Sequence, residues 1–353
     1  MRVISDINHI NLAQWHNLVA TSPTATWFQT PEAYDFFASM PELFMPFVVG
    51  VANENRLRGV CCGYVTKEKT AFKQFFTRRA IINGGLLLDK DITDKELTAL
   101  LTALKNRLSN RAIYIETRNF NDYSRWKRAF VEAGFLYEPH LNFHIDTRNK
   151  ELMWNRIAES KRRQIRKAQA QGVVIVQPDS IDDIKTFYQI LRKLYREKVK
   201  RPLFDEHFFI SFFEQKLGKY LLVKYQGKVI GGVMCPIINT LDGASATCSP
   251  GLPNTLKPQL STIYEWYICG NDTDYHEQYP SVMATWAAME YAAEHNLARF
   301  DVMGAGVPDK PYGVRDFKAD FGGELVEHGR FTYIAKPILY HLGKIGVELL
   351  SRR

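Results

Sequence analysis

Apolar and polar positions fall into two similar blocks. PFVVGVANENRLRGVCCGYV (46–65) reads as strand, polar turn, strand, and KYLLVKYQGKVIGGVMCPII (219–238) reads the same way. Gly59-Val60 in the first matches Gly232-Val233 in the second. An apolar run ending in glycine follows each hairpin: RRAIINGGLLL (78–88) and IYEWYICGND (263–272). Then comes a helix pattern, DKELTALLTALKNRL (94–108) or PSVMATWAAMEYAAEHN (280–296), the second opened by Pro280-Ser281. Short strands AIYIETR (112–118) and RFDVMGA (299–305) come next. Each block closes with an aromatic helix and a last strand: RWKRAFVEAGFLYEPHLNFHI and GVRDFKADFGGELVEHGRFTYI. Gly85 aligns with Gly270, Ile115 with Asp301 and Phe130 with Phe317, and NTLDGASATCSPGLPNTLK (239–257) supplies an insertion in the second block.

The pattern predicts an α/β (α+β) chain built as two copies of one unit, strand–strand–strand–helix–strand–helix–strand. The alternative is chance likeness of α/β patterning. The expected domains are 1–148 and 149–353, with a basic linking helix over 153–170. Composition agrees: 353 residues exceed one ordinary core, and 46% apolar with 24% charged residues is typical of a soluble globular protein.

A net charge of +8 suits an anionic partner such as nucleic acid, a phosphorylated substrate or an anionic lipid surface; a merely basic soluble protein is the alternative. Five cysteines without a CxxC pair point to buried thiols in a reducing compartment. The N-terminus MRVISDINHINLAQW has no apolar signal-peptide stretch, and no run approaches a membrane span, so a cytoplasmic location is expected.

The charge is concentrated in SKRRQIRKAQAQGV (160–173), where Gly172 is placed to end the helix. Arg162 with Arg166, and Arg163 with Lys167, stand four apart on a helix, where like charges repel by a few tenths of a kcal/mol, about the size of a favourable pair. Local stability does not explain the cluster. It is either a solvated face or a site for phosphate or an RNA backbone, which arginine suits by its bidentate geometry.

In GVRDFKADFGGE (313–324), Phe317 and Phe321 share a helix face, Lys318 adjoins the first, and Gly322-Gly323 ends the run. Two units of this element order resemble the GNAT acyltransferase fold. This stretch, with the 160–173 helix, WYICGNDTD (266–274) and FDVMGAG (300–306), resembles the Fem-type aminoacyl transferases of peptidoglycan interpeptide-bridge synthesis; TWFQTPEAYDFF (26–37) is similar to their N-terminal stretch. The resemblance implies two fused GNAT-like domains and transfer of an amino acid from aminoacyl-tRNA to an amine of a nucleotide- or lipid-linked peptidoglycan precursor. It implies that Lys318, directly after Phe317, stabilises the oxyanion of acyl transfer, and that Tyr267 lines the substrate pocket. No cofactor, metal or DNA is implied.

Tyr312 and Arg315 are further candidates for substrate contact; the plainer alternatives are a turn residue after Pro311 and an ion pair with Asp316 or Asp320. Arg162, Arg163, Arg166 and Lys167 are the candidate tRNA or precursor phosphate contacts. GAGVPDKPYG (304–313) is expected to be a mobile loop presenting Lys318. The chain lacks the heptads of the family's coiled arm and has no match for its N-terminal precursor-binding lysine, so it reads as a compact member. A CoA-dependent N-acyltransferase is the alternative activity, but the stretches before the two central helices carry acids where a pyrophosphate loop belongs, and a catalytically silent binding module is a third reading. His140 and His144 lack a third metal ligand. The tail KPILYHLGKIGVELLSRR (336–353) is amphipathic through Ile338, Leu342, Ile345 and Leu349; it either packs on the second domain or makes peripheral membrane contact.

Overall fold

Both long hairpins form as expected and seed separate sheets in the computed structural model, which describes residues 1–67, 78–240 and 260–343. Their tight turns explain the sharp reversals. Glu54 and Asn55 turn with φ of 48° and 59°, and Gln226 and Gly227 with 50° and 76°, as two-residue hairpin loops with left-handed central residues require.

The first half runs β1 (Arg2–Ile4), α1 (Leu12–Thr21), α2 (Pro31–Ala38), β2 (Phe44–Asn53), β3 (Arg56–Thr66), β4 (Arg79–Gly84), β5 (Leu87–Leu88), α3 (Asp94–Leu108), β6 (Tyr114–Asn119), α4 (Lys127–Glu132) and β7 (Leu136–Glu138). Next come β8 (Leu141–Asp146), α5 (Lys150–Arg156), α6 (Glu159–Ala170), β9 (Val174–Val176), α7 (Ile181–Leu194), a π-helical turn (Tyr195–Val199) and α8 (Glu206–Glu214). The second hairpin is β10 (Gly218–Tyr225) and β11 (Lys228–Asn239). It leads to β12 (Ser261–Tyr264), β13 (Tyr267–Gly270), α9 (Pro280–Glu294), β14 (Arg299–Asp301), α10 (Gly313–Ala319), β15 (Glu324–Glu327) and β16 (Arg330–Ile334).

One sheet has the order β1-β2-β3-β4-β6-β16-β7, with β5 on β3; the other has β15-β8-β14-β12-β11-β10-β9, with β13 on β11. The duplication is visible in the pairings. β4 runs parallel to β6, and β12 parallel to β14. These are two fused GNAT-like units.

The last strands are exchanged. β16, from the end of the chain, pairs antiparallel with β6, whereas β8, from the end of the first block, pairs antiparallel with β14. By contacts the units are residues 1–140 with 327–353, and residues 141–326. The division therefore differs from the expected 1–148 and 149–353. The physical reason is that LNFHID and RFTYI share the burial pattern of their first four residues, so sequence pattern alone does not assign either strand to a sheet edge.

In the first unit, α3 starts on a Thr93–Glu96 capping box and buries Leu97, Leu100, Leu101, Leu104 and Leu108 against the sheet. Phe331 of β16 completes this core, stacked on Phe130 at 4.0 Å between ring centroids. In the second unit, α9 is buried nearly all round, including Met283, Trp286 and Met289.

The expected helix over 153–170 is two helices, α5 and α6. The break falls at Ile157, which is extended and buried, and at Ala158, whose N–H donates to Asp320 O at 2.8 Å. Gly172 ends α6 with φ of 88°. The described part of the tail, residues 336–343, meets the first unit rather than the second domain: the Tyr340 ring meets Tyr114 at 5.3 Å. Ile338 and Leu342 are exposed, and Ile345 and Leu349 lie outside the described residues, as does Cys248. The other four cysteines are buried free thiols.

Because Phe331 closes the first unit's core from the far end of the chain, Phe331→Ala is expected to destabilise the protein by about 3–5 kcal/mol in denaturant unfolding. A loss below about 1 kcal/mol would contradict the exchange.

Candidate functional site

The candidate site is assembled within the second unit, around α10. Phe321 anchors this helix in the core, and Phe317 is partly buried beside it at 5.3 Å. Gly322 stops it with φ of 78°; a Cβ there would sit 2.4 Å from Arg156 O. Glycine is required because the chain passes directly against α5. Lys318 is thereby aimed inward, and its side chain is 11% exposed.

All three ammonium protons of Lys318 have acceptors. Nζ donates to Val302 O at 2.5 Å and to Gly304 O at 3.2 Å, and lies 3.0 Å from Glu265 Oε1. Glu265 stands between β12 and β13 with its side chain 2% exposed. Burial pushes its carboxyl above the usual range; the charge and hydrogen bond of Lys318, with Thr285, pull it back, while Asp301 adds to the rise.

The two carbonyls are themselves fixed. Met303 and Gly304 both have positive φ, 55° and 115°. The Met303 N–H donates to Asp301 Oδ1 at 2.8 Å, and the Gly304 N–H to Asn142 Oδ1 at 2.7 Å. Asn142 Nδ2 also donates to Asp301 Oδ1, and His144 Nε2 lies 3.2 Å from Asp301 Oδ2. Burial alone would raise Asp301, but the hydrogen bond and charge of His144, then Arg299 and Asn142, hold it below its usual range. The exchanged strand β8 thus supplies Asn142 and His144 to the turn that cradles Lys318.

The remaining candidates are placed as follows. Arg315 spends its guanidinium on the carbonyls of Ala305, Val307 and Pro308, and Tyr312 lies over Gly306. Neither expected ion pair of Arg315 is present. The 304–313 loop is braced by these bonds rather than left without support. Tyr267 is half-buried among Trp266, Phe208 and Phe209, and 6.2 Å from the Tyr195 ring. Burial pushes the Tyr195 phenol up to about 12, Arg201 opposing, with Cys269 and Tyr312 adding to the rise. Tyr267 therefore borders Tyr195, and Tyr312 lies near enough to act on its charge.

The basic helix α6 docks on α10 through Lys161, which is 3.6 Å from Asp320 Oδ2 and 4.5 Å from the Phe317 ring centroid. Within the expected cluster, Lys167 pairs with Glu277 and Arg166 lies over Trp154. Arg162 and Arg163 have no ion pair among the described residues, and Arg162 Nε is buried without a hydrogen-bond partner. His140 and His144 have separate roles: His140 contacts Arg330 Nη2 at 3.0 Å in the first unit, and His144 holds Asp301 in the second. Among the described residues no group of His, Cys, Asp and Glu is arranged to hold a metal.

The N-termini of the two central helices are occupied by the protein's own side chains. Asp272 accepts the Ser281 N–H at 3.1 Å and the Ser281 hydroxyl at the start of α9, and Thr93 with Glu96 does the same for α3. A carboxylate thus occupies the place where a helix N-terminus would hold a pyrophosphate.

The FemAB family model matches residues 260–345, which include Glu265, the 301–304 turn and Lys318. The solved structure of FemX superposes with a TM-score of 0.69 over 97% of this chain and 99% of that chain, at 16% identity. Residues 260–345 thus resemble the FemAB family, and the fold of the chain is that of FemX. The fold is shared more widely. A tandem GNAT protein from the clavulanic acid biosynthesis pathway matches over 95% of this chain and 98% of its own, at 12% identity and a TM-score of 0.52. L-PGS from Bacillus licheniformis matches with 10% identity, 92% and 97% coverage and a TM-score of 0.53. No curated protein matches in sequence.

Glu265, Asp301 and Asn142 escaped sequence reasoning. The signal for Glu265 was an acid inside the otherwise apolar IYEWYI, and for Asp301 an acid inside RFDVM. Lys318→Met leaves Glu265 buried without its charged partner. A loss of about 3–5 kcal/mol is expected in denaturant unfolding at neutral pH. The deficit should shrink toward acid, because the neutral carboxyl needs no partner, and most of it should vanish in Lys318→Met/Glu265→Gln. Equal stability of wild type and Lys318→Met at neutral pH would contradict the pairing.

Proposed function

We propose that this chain is an aminoacyltransferase that moves an amino acid from aminoacyl-tRNA to an amine of a peptidoglycan precursor, nucleotide- or lipid-linked. The observation that carries the reading is Lys318: a cation directly after Phe317, within the family-matched segment, held by three fixed acceptors. The acceptor amine attacks the ester carbonyl and negative charge collects on its oxygen; the C–O bond then breaks, the proton given up by the amine nitrogen passes to the leaving oxygen, and the tRNA 3′-terminal hydroxyl departs as the amide forms. A positioned ammonium at the developing oxyanion lowers that barrier. Lys318 serves by exchanging its longest bond, 3.2 Å to Gly304 O, for the oxyanion.

The activated ester needs no protein nucleophile. Arg162 and Arg163, uncommitted to ion pairs and on the helix that docks against α10, take phosphates of tRNA or precursor. Tyr267, Tyr195 and Tyr312 line the acyl or acceptor side. The self-capped N-termini of α3 and α9 weigh against acyl-CoA as donor.

The test incubates the protein with precursor and either labelled aminoacyl-tRNA or acetyl-CoA and follows label on the precursor. Transfer from aminoacyl-tRNA is expected; transfer from acetyl-CoA alone would overturn the reading. Arg162→Ala/Arg163→Ala is expected to weaken tRNA binding and reduce the slope of log affinity against log salt by about 1–2. An unchanged slope would remove these arginines from the interface.

A further inference from the structure

We infer that Glu265 is a positioning residue for acyl transfer: a buried carboxylate that sets where the Lys318 ammonium points. This rests on the reading of Lys318 as the oxyanion donor. Lys318 reaches its place from α10 across a turn whose carbonyls have fixed directions. Those carbonyls are neutral acceptors. Glu265 is the one acceptor of Lys318 that carries a formal charge, and it lies 3.0 Å away. Its side chain is almost fully enclosed, so water does not screen the attraction as it would at a surface.

The other charged groups near the carboxylate do not substitute for it. Asp301 is engaged with His144 and Asn142, and its negative charge repels rather than replaces that of Glu265. Thr285 of α9 acts on Glu265 as a neutral hydroxyl. A structural clamp could be made more cheaply from apolar residues, because burying an ion pair seldom stabilises a fold beyond a hydrophobic replacement. A fixed cation facing a reacting carbonyl has no such replacement. Glu265 also explains how Lys318 can release Gly304 O to an oxyanion without losing its position: the carboxylate and Val302 O continue to hold the ammonium while the third proton changes partner.

Glu265→Gln keeps the volume and the hydrogen bond and removes the charge. With aminoacyl-tRNA and precursor, kcat is expected to fall on the order of 10²-fold, the scale of a misplaced catalytic group. KM for both substrates should be unchanged, and Glu265→Asp should recover part of the rate. A second readout needs no turnover. Brief labelling with acetic anhydride, read by peptide mass spectrometry, should modify Lys318 several-fold faster in Glu265→Gln than in the wild type, with surface lysines unchanged as internal reference. Wild-type kcat in a folded Glu265→Gln, or equal Lys318 labelling, overturns the inference. Absence of transfer in the wild type overturns the functional reading, while the labelling result still decides whether Glu265 governs Lys318.

Discussion

A lysine and a glutamate, both withdrawn from water, organise the second unit around their contact. Isolating either charge there costs several kcal/mol, so each requires the other. The contact fixes α10 relative to the β12–β13 junction. It also requires the 301–304 turn to present its carbonyls in one direction, which explains why that turn is tied down by Asp301 and Asn142 and adopts left-handed backbone at Met303. The strain at Met303 is tolerated because two side chains over-determine the conformation.

The strand exchange has its consequence in the same place. β8 begins in the first block of sequence but builds the second sheet, and it delivers Asn142 and His144 to the Lys318 cradle. A chain with each block closed on its own last strand would have to recruit those groups elsewhere. In the first unit, the equivalent of α10 is α4, where Val131, half exposed, stands after Phe130 in the place that Lys318 takes after Phe317. The duplicated architecture therefore holds the site in one copy only.

Much of this was legible in the residues. The hairpins, the central helices and their entry signals followed from turn chemistry and hydrophobic period, and the phenylalanine pair with its glycine stop marked α10. The exchange of β8 and β16 was not legible, because two strands of similar pattern are interchangeable until the sheets pair. The α5–α6 break was hidden because Ile157 satisfies a helical period while its burial requires an extended residue. Arg315 was legible as important but not as a loop brace, since backbone carbonyls leave no trace in side-chain pattern. Lys318 was visible; Glu265 left only the trace of an acid in an apolar run, because an ion pair between residues distant in sequence does not name its partner locally.

The central claim is that the Lys318 charge serves chemistry as well as folding. It is tested most directly by the single-turnover transfer rate of Lys318→Met/Glu265→Gln, in which no buried charge is left unpaired. The account predicts a stably folded protein whose transfer step is on the order of 10²–10³-fold slower than wild type. A wild-type rate in that folded variant would contradict it.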